Sequence, residues 1–196
     1  MAVNLILELV SILEPFKLSM VFQKKQPLEI ELGCGDASFL VAYAHKHPQN
    51  NFIGVERLLG RIQKLDRKGR RAELTNLRGV RIESAYFLQY LLPPHAAAAV
   101  HIYFPDPWPK KKHHRHRIIN EAFPALAHTA LAPKGTVFLR TDHGEYFQQM
   151  NDVFKACKDF SEVETPADLA EMTTDFEHHF NAQGIPTLRA AFQRRT

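Results

Sequence analysis

Short apolar runs alternate with stretches of helical spacing along most of this chain, and that alternation limits the folds open to it. "PLEIEL", "NFIGVE", "NLRGVRIES", "AAAAVHIYF" and "PKGTVFLRTD" each have the length and β-branched or aromatic content of a buried strand. Between them lie segments whose apolar residues return every three to four positions: Phe39, Leu40 and Tyr43, then Leu58, Ile62 and Leu65, then "AYFLQYLL", "RIINEAFPALAHTAL" and "HGEYFQQMNDVFKAC". Pro124 is expected to kink the fourth of these helices. Later come a strand at "FSEVET", a polar helix-like stretch at "TDFEHHFNAQG" and a closing strand at "PTLRAAFQRR". Parallel strands need crossover connections, so the pattern specifies an α/β fold, a mostly parallel sheet with helices on both faces.

In such sheets ligands bind beyond the carboxyl ends of the strands. The candidate functional residues all fall there: Glu31 with Gly33 and Gly35 after the first strand, Glu56 after the second, Ser84 after the third, Asp106 after the fourth and Asp142 after the fifth. At 196 residues the chain fits one domain, 1–196, with residues 1–27 as a helical lead-in packed on it. The apolar opening "MAVNLILELVSILEPF" carries Glu8 and Glu14 and is too short to span a bilayer, so it reads as an amphipathic helix. Only Cys34 and Cys157 occur, and no CxxC pair, which fits a reducing cytoplasm and excludes a disulfide framework.

The turn "ELGCGDAS" has two readings. It could be a dinucleotide fingerprint, but Ser38 replaces the third glycine and Glu31 would repel a diphosphate. S-adenosyl-L-methionine has a sulfonium and an ammonium and no phosphate, so Glu31 can face its positive end while Gly33 and Gly35 let the backbone approach closely. Glu56, 21 positions after Gly35, is placed to accept the ribose hydroxyls.

The formal net charge is only +4, so distribution matters more than total. In "YFPDPWPKKKHHRHR" a proline-stiffened turn holding Asp106 leads into Lys110, Lys111, Lys112, Arg115 and Arg117, an acid-free run suited to RNA phosphates. Trp108 reads equally as a stacking platform or a packing anchor. His113, His114 and His116 lie among five cations that would repel a dication, so no metal is expected.

Together with "ELGCGDASFL", "GVE", "LRTD" and "TDFE", this segment resembles the bacterial tRNA (guanine-N7)-methyltransferases, the TrmB family, over about residues 29–192. The resemblance implies a Rossmann-like class I S-adenosylmethionine-dependent methyltransferase fold. It also implies N7-methylguanosine formation at position 46 of the tRNA variable loop, in a cytoplasmic monomer or homodimer. On this pattern Glu31, Glu56 and Asp106 match cofactor-site acids, and Asp106 and Asp142 are the residues expected at the reaction centre. Lys110, Asp142, Thr174, Asp175, Phe176 and Glu177 match substrate-binding positions. Two departures stand out: Ser84 takes the place of the family's usual acid, with Glu83 alongside, and the segment before Glu29 lacks a longer basic lead-in. The nearest alternative is an amino-methyltransferase acting on adenine N6 or cytosine N4, and a second is an RNA-binding module without activity.

Overall fold

The computed structural model describes residues 4–196. In chain order its elements are α1 (Leu18–Val21), β1 (Leu28–Leu32), α2 (Ser38–Lys46), β2 (Asn51–Glu56), α3 (Leu59–Arg71), β3 (Leu77–Arg81) and α4 (Ser84–Tyr86), which runs on as a π-helical turn, Phe87–Leu91. Then follow β4 (Ala97–Tyr103), a 3-10 turn (Lys111–His116), α5 (Phe123–Ala130), β5 (Leu131–Thr141), α6 (Gly144–Ala156), β6 (Phe160–Val163), α7 (Ala167–Glu171), α8 (Asp175–Asn181) and β7 (Leu188–Arg194).

The seven strands form one sheet in the order β3-β2-β1-β4-β5-β7-β6. The first five are mutually parallel, and β7 runs antiparallel to both β5 and β6. Chain progression runs outward from β1 to β3, then returns to the centre at β4 and proceeds the other way. This reversal opens a crevice above the carboxyl ends of β1 and β4, where Leu32 pairs with Ile102.

Both faces of the sheet are covered. Ile30, Val100, Ile102 and Val137 pack toward Phe123, Phe154 and Phe192 on one side. Phe52, Leu77 and Tyr103 pack toward Phe39, Leu40, Ile62 and Leu65 on the other. Helix α3 lies close on its strands because Gly54 and Gly79 have no side chain: a Cβ on Gly54 would sit 2.6 Å from Leu65 Cδ1.

Two expectations are corrected. Residues 1–3 lie outside the described residues, and from residue 4 the lead-in is mostly extended, with α1 its only helix. It does pack on the domain: Leu5 and Leu7 bracket Gly79 of the β3 edge through Gly79 N–H to Leu5 O and Leu7 N–H to Gly79 O, each 2.8 Å. An edge strand leaves a row of backbone groups unpaired, and an apolar segment in extended form satisfies them as a helix cannot. Pro124 does not kink a helix, because the helix only begins at Phe123 and its first turn needs no proline N–H. Among the described residues no helix is long and apolar enough to cross a membrane.

Candidate active site

The turn after β1 holds Gly33 at φ 73° and Gly35 at φ 56°, left-handed values that glycine adopts without a Cβ clash. Gly33 and Cys34 donate to Val55 O at 2.8 and 3.0 Å, which ties the turn to β2. Glu56, at the end of β2, completes the tie. Its Oε2 accepts from Gly35 N–H at 3.2 Å, and its Oε1 accepts from Leu58 N–H at 2.8 Å. One carboxylate thus fixes both the glycine turn and the start of α3.

A cavity of about 310 Å³ opens at this point, lined by Gly33, Glu56, Ser84 and Asp106 from the sequence-expected set, and by Arg57, Arg61, Trp108 and His116 among others. A wider hollow of about 820 Å³ between Arg115, Asn120 and Glu145 is lined by none of the acids at the strand ends, so it is not the site. Ser84 stands at the cavity wall, and Glu83 beside it is committed to capping α4, accepting from Ala85 and Tyr86 N–H at 2.9 and 2.7 Å.

Glu31 lies deeper. Its side chain is buried and its Oε2 has no hydrogen-bond partner among the described residues. Burial pushes its carboxyl up to about 8, against the pull of Arg140, with Asp36 adding to the rise. A buried carboxylate oxygen without a donor, beside a glycine turn with open space where a Cβ would stand, is fitted to receive a cationic ligand group.

The PDPW turn is held by unusual backbone. Phe104 at φ 49° and Trp108 at φ 44° are both left-handed, and Asp106 Oδ1 accepts from Trp108 N–H at 3.2 Å. Such conformations in bulky residues are strained and persist where the surroundings impose them. Here Phe104 N–H is held by Arg140 O at 2.8 Å, and the Trp108 ring packs against His116 and His113 at 5.1 and 5.8 Å. Asp106 is therefore presented, exposed, at the cavity rim. Asp142 is half-buried one strand over, at the end of β5.

Lys110, Lys111, Lys112 and Arg115 are exposed around the 3-10 turn. Arg117 is not. Its guanidinium is buried, bonds Glu145 at 3.0 and 2.6 Å, donates to Pro107 O at 2.8 Å and lies over the Tyr146 ring. The expectation of a phosphate contact at Arg117 is thus corrected: it clamps the PDPW turn to α6. Thr174 and Glu177 have a structural part of their own. They form a capping box at the start of α8, with Thr174 Oγ1 accepting from Glu177 N–H at 3.1 Å and Glu177 Oε2 accepting from Thr174 N–H at 2.8 Å. Glu177 is fully buried, where burial alone would raise its carboxyl, but the Thr174 N–H, Arg140 and Arg189 hold it below the usual range. Asp175 and Phe176 remain exposed, and Phe176 stacks on Phe104 at 5.7 Å, which brings α8 to the cavity edge.

Arg140 was not singled out by sequence and is the hub of this side. Its guanidinium bonds Leu169 O, Met172 O and Glu177 Oε2 at 2.5, 2.6 and 2.7 Å and stacks on Tyr103 at 4.4 Å. The signal was present as a lone arginine among the apolar residues of "TVFLRTD". A second buried chain links Asn50, Glu29, His101 and Tyr103 through bonds of 2.6, 2.7 and 2.7 Å. No group of three or more metal-ligating side chains occurs among the described residues.

Residues 25–190 match the family model described as "Putative methyltransferase". The tRNA (guanine-N(7)-)-methyltransferase of Chromohalobacter salexigens is 35% identical over 149 residues, covering 76% of this chain and 61% of that protein. The Thermotoga maritima protein of the same name is 31% identical over 174 residues, covering 88% and 56%. The chain thus spans about three-fifths of the length of these curated relatives. In fold it is similar to the 16S rRNA methyltransferase KamB (TM-score 0.63, 12% identity, covering 92% and 93%) and to a 16S rRNA (adenine(1408)-N(1))-methyltransferase W203A mutant with cosubstrate SAM from Catenulisporales acidiphilia (TM-score 0.54, 13% identity, covering 89% and 88%). By family model, relatives and fold together, the chain belongs to the TrmB methyltransferase family.

Proposed function

We propose that this protein is a tRNA (guanine(46)-N(7))-methyltransferase, acting in the cytoplasm on the variable loop of tRNA with S-adenosyl-L-methionine as methyl donor. The observation that carries the reading is the placement of Asp106: a rigid turn holds it at the rim of the cavity that Gly33 and Glu56 line, and the same turn runs directly into an exposed cationic surface. The relatives' names, tRNA (guanine-N(7)-)-methyltransferase, supply the target base.

The residues present fit the cofactor. Glu31 offers an unpartnered carboxylate to its ammonium end, Gly33 and Gly35 give close backbone approach, Glu56 is an acceptor for ribose hydroxyls, and Ser84 is a neutral hydrogen-bonding group at the wall. When bound, S-adenosyl-L-methionine supplies an electrophilic methyl on sulfur, which guanine N7 can take with its free lone pair. No general base is needed, so the protein's task is alignment, an effect that can reach several kcal/mol. In this reading Asp106, at the cavity rim, and Asp142, at the end of β5, accept from the N1 and N2 donor edge of guanine, and their charge favours a base that becomes cationic as the bond forms. Lys110, Lys111, Lys112 and Arg115 hold the phosphates that deliver it. Exposed Phe176, stacked on Phe104, offers an aromatic face beside the cavity.

The test is incubation with labelled cofactor and unmodified tRNA, followed by mapping of the product base. Label at guanine N7 of the variable loop is the expected result. Label on an exocyclic amine would replace this reading with the amino-methyltransferase one, and RNA binding without cofactor binding would remove the enzyme reading altogether.

A further inference from the structure

Helix α3 carries far more positive charge than its fold requires. From Arg57, just before it, to its last residue it bears Arg57, Arg61, Lys64, Arg67, Lys68, Arg70 and Arg71, with Asp66 the only acid. Cations in the last turn suit the negative end of the helix dipole, which accounts for Lys68, Arg70 and Arg71. The same dipole disfavours cations in the first turn, yet Arg61 stands there and no acid accompanies it. Like charges at Lys64 and Lys68, and at Arg67 and Arg71, are four residues apart, a spacing that destabilises a helix by a few tenths of a kcal/mol per pair.

Neighbouring acids neutralise only part of this charge. Lys68 pairs with Asp36 at 2.6 Å, Arg70 with Asp66 at 3.4 Å, and Arg61 approaches Glu56 at 3.8 Å. Asp66 is itself turned to the lead-in, accepting from Leu5 N–H at 2.9 Å. Arg57, Lys64, Arg67 and Arg71 have no acid within ion-pair distance among the described residues, and all four are exposed. Lys64, Arg67 and Arg71 are spaced three and four residues apart, so they share one face and run about 10 Å along the helix, with Arg57 just before its start.

The position of this ridge matters as much as its charge. Arg57 and Arg61 line the cavity itself, on the β2 side, while Trp108 and His116 line it from the PDPW side. The cavity is therefore lined by two arginines on the β2 side, while the exposed lysines of the PDPW run lie beyond Trp108 and His116 on the other. We infer that the exposed face of α3 is a second phosphate-contacting surface for RNA, so that the substrate backbone straddles the cavity instead of resting on the PDPW side alone. This inference rests on the methyltransferase reading for its substrate but makes a separate claim about binding. A row of exposed cations along a rigid helix suits a polyanion.

The experiment uses Lys64→Gln, Arg67→Gln and Arg71→Gln together, three side chains outside the cavity lining. Binding is measured across a salt series with unmodified tRNA and with an unrelated single-stranded RNA, alongside cofactor affinity. The expected result is at least tenfold weaker binding of both RNAs at low salt, and a log affinity against log salt slope shallower by about two, with cofactor affinity unchanged. A triple variant with wild-type RNA affinity and slope would overturn the inference, as would wild-type protein that binds anionic lipid vesicles but neither RNA. If the wild type binds RNA but does not methylate tRNA, the proposed activity fails while the slope still decides the role of α3.

Discussion

Glu31→Gln should stabilise the ligand-free protein and disable it at once. In the folded chain burial holds the Glu31 carboxyl at about 8, against 4.5 for an ordinary glutamate. Between those values the folded chain keeps a proton that the unfolded chain has lost, so stability falls as pH rises through that window. At about 1.36 kcal/mol for each pH unit the full effect is about 5 kcal/mol. Side-chain relaxation and water entry reduce it, so about 2–5 kcal/mol is expected. Glutamine fills the same space without a charge. The variant should match the wild type near pH 5, exceed it increasingly up to about pH 8 and hold a constant lead above that, a gap of about 5–15 °C in melting temperature for a domain of this size. Thermal and urea unfolding at closely spaced pH values, with and without S-adenosyl-L-methionine, read this directly. The cofactor should raise the wild-type melting temperature far more than that of the variant, because its cationic end supplies the missing partner. A stability difference that does not change with pH would refute the assignment of a buried, uncompensated carboxylate. Equal stabilisation of both proteins by the cofactor would refute its role in binding.

Three further outcomes follow from other parts of the site and its supports. Glu56→Ala removes a charged acceptor from ribose and frees the Gly35 and Leu58 amides, so cofactor affinity measured by calorimetry should fall at least tenfold, charged acceptors being worth about 1.5–3 kcal/mol. Arg140→Met leaves Glu177 buried with Arg189 alone and should cost about 3–5 kcal/mol in urea unfolding, of which Arg140→Met with Glu177→Gln should recover a substantial part. Gly54→Ala drives a Cβ to 2.6, 2.8 and 2.9 Å from Leu65, Leu40 and Cys34, and should cost about 1–3 kcal/mol while leaving RNA affinity at low temperature intact.

What the sequence made legible was local. The glycine turn, the acids at strand ends and the alternation of strand and helix each depend on neighbours within a few residues, and each stands in the structure where its spacing put it. Pro124 was misread for a local reason, the late start of its helix, but other features turn on distant contacts. Arg117 looks like its cationic neighbours until Glu145, 28 residues on, captures it. The lead-in is apolar enough for a helix, but the unpaired edge of β3 recruits it as extended chain. For Thr174 and Glu177 the sequence shows the signature of a capping box, a Thr followed three positions later by Glu, but not the contacts with Arg140 and Arg189 that bury it. In each case a contact distant in sequence determined the role.

The insertion of β7 between β5 and β6 sets an order for assembly. β6 has no partner other than β7, pairing Phe160 with Arg194 and Val163 with Ala191, so it cannot join the sheet until a strand synthesised after it has docked on β5. Residues 164–187, which carry α7 and α8, are closed as a loop in that same step, and Arg140 can gather Leu169, Met172 and Glu177 only then. Pairing of this kind carries a loop-closure cost before it is rewarded, which slows folding. Refolding followed at this end of the sheet should therefore lag behind refolding followed at β1 to β3.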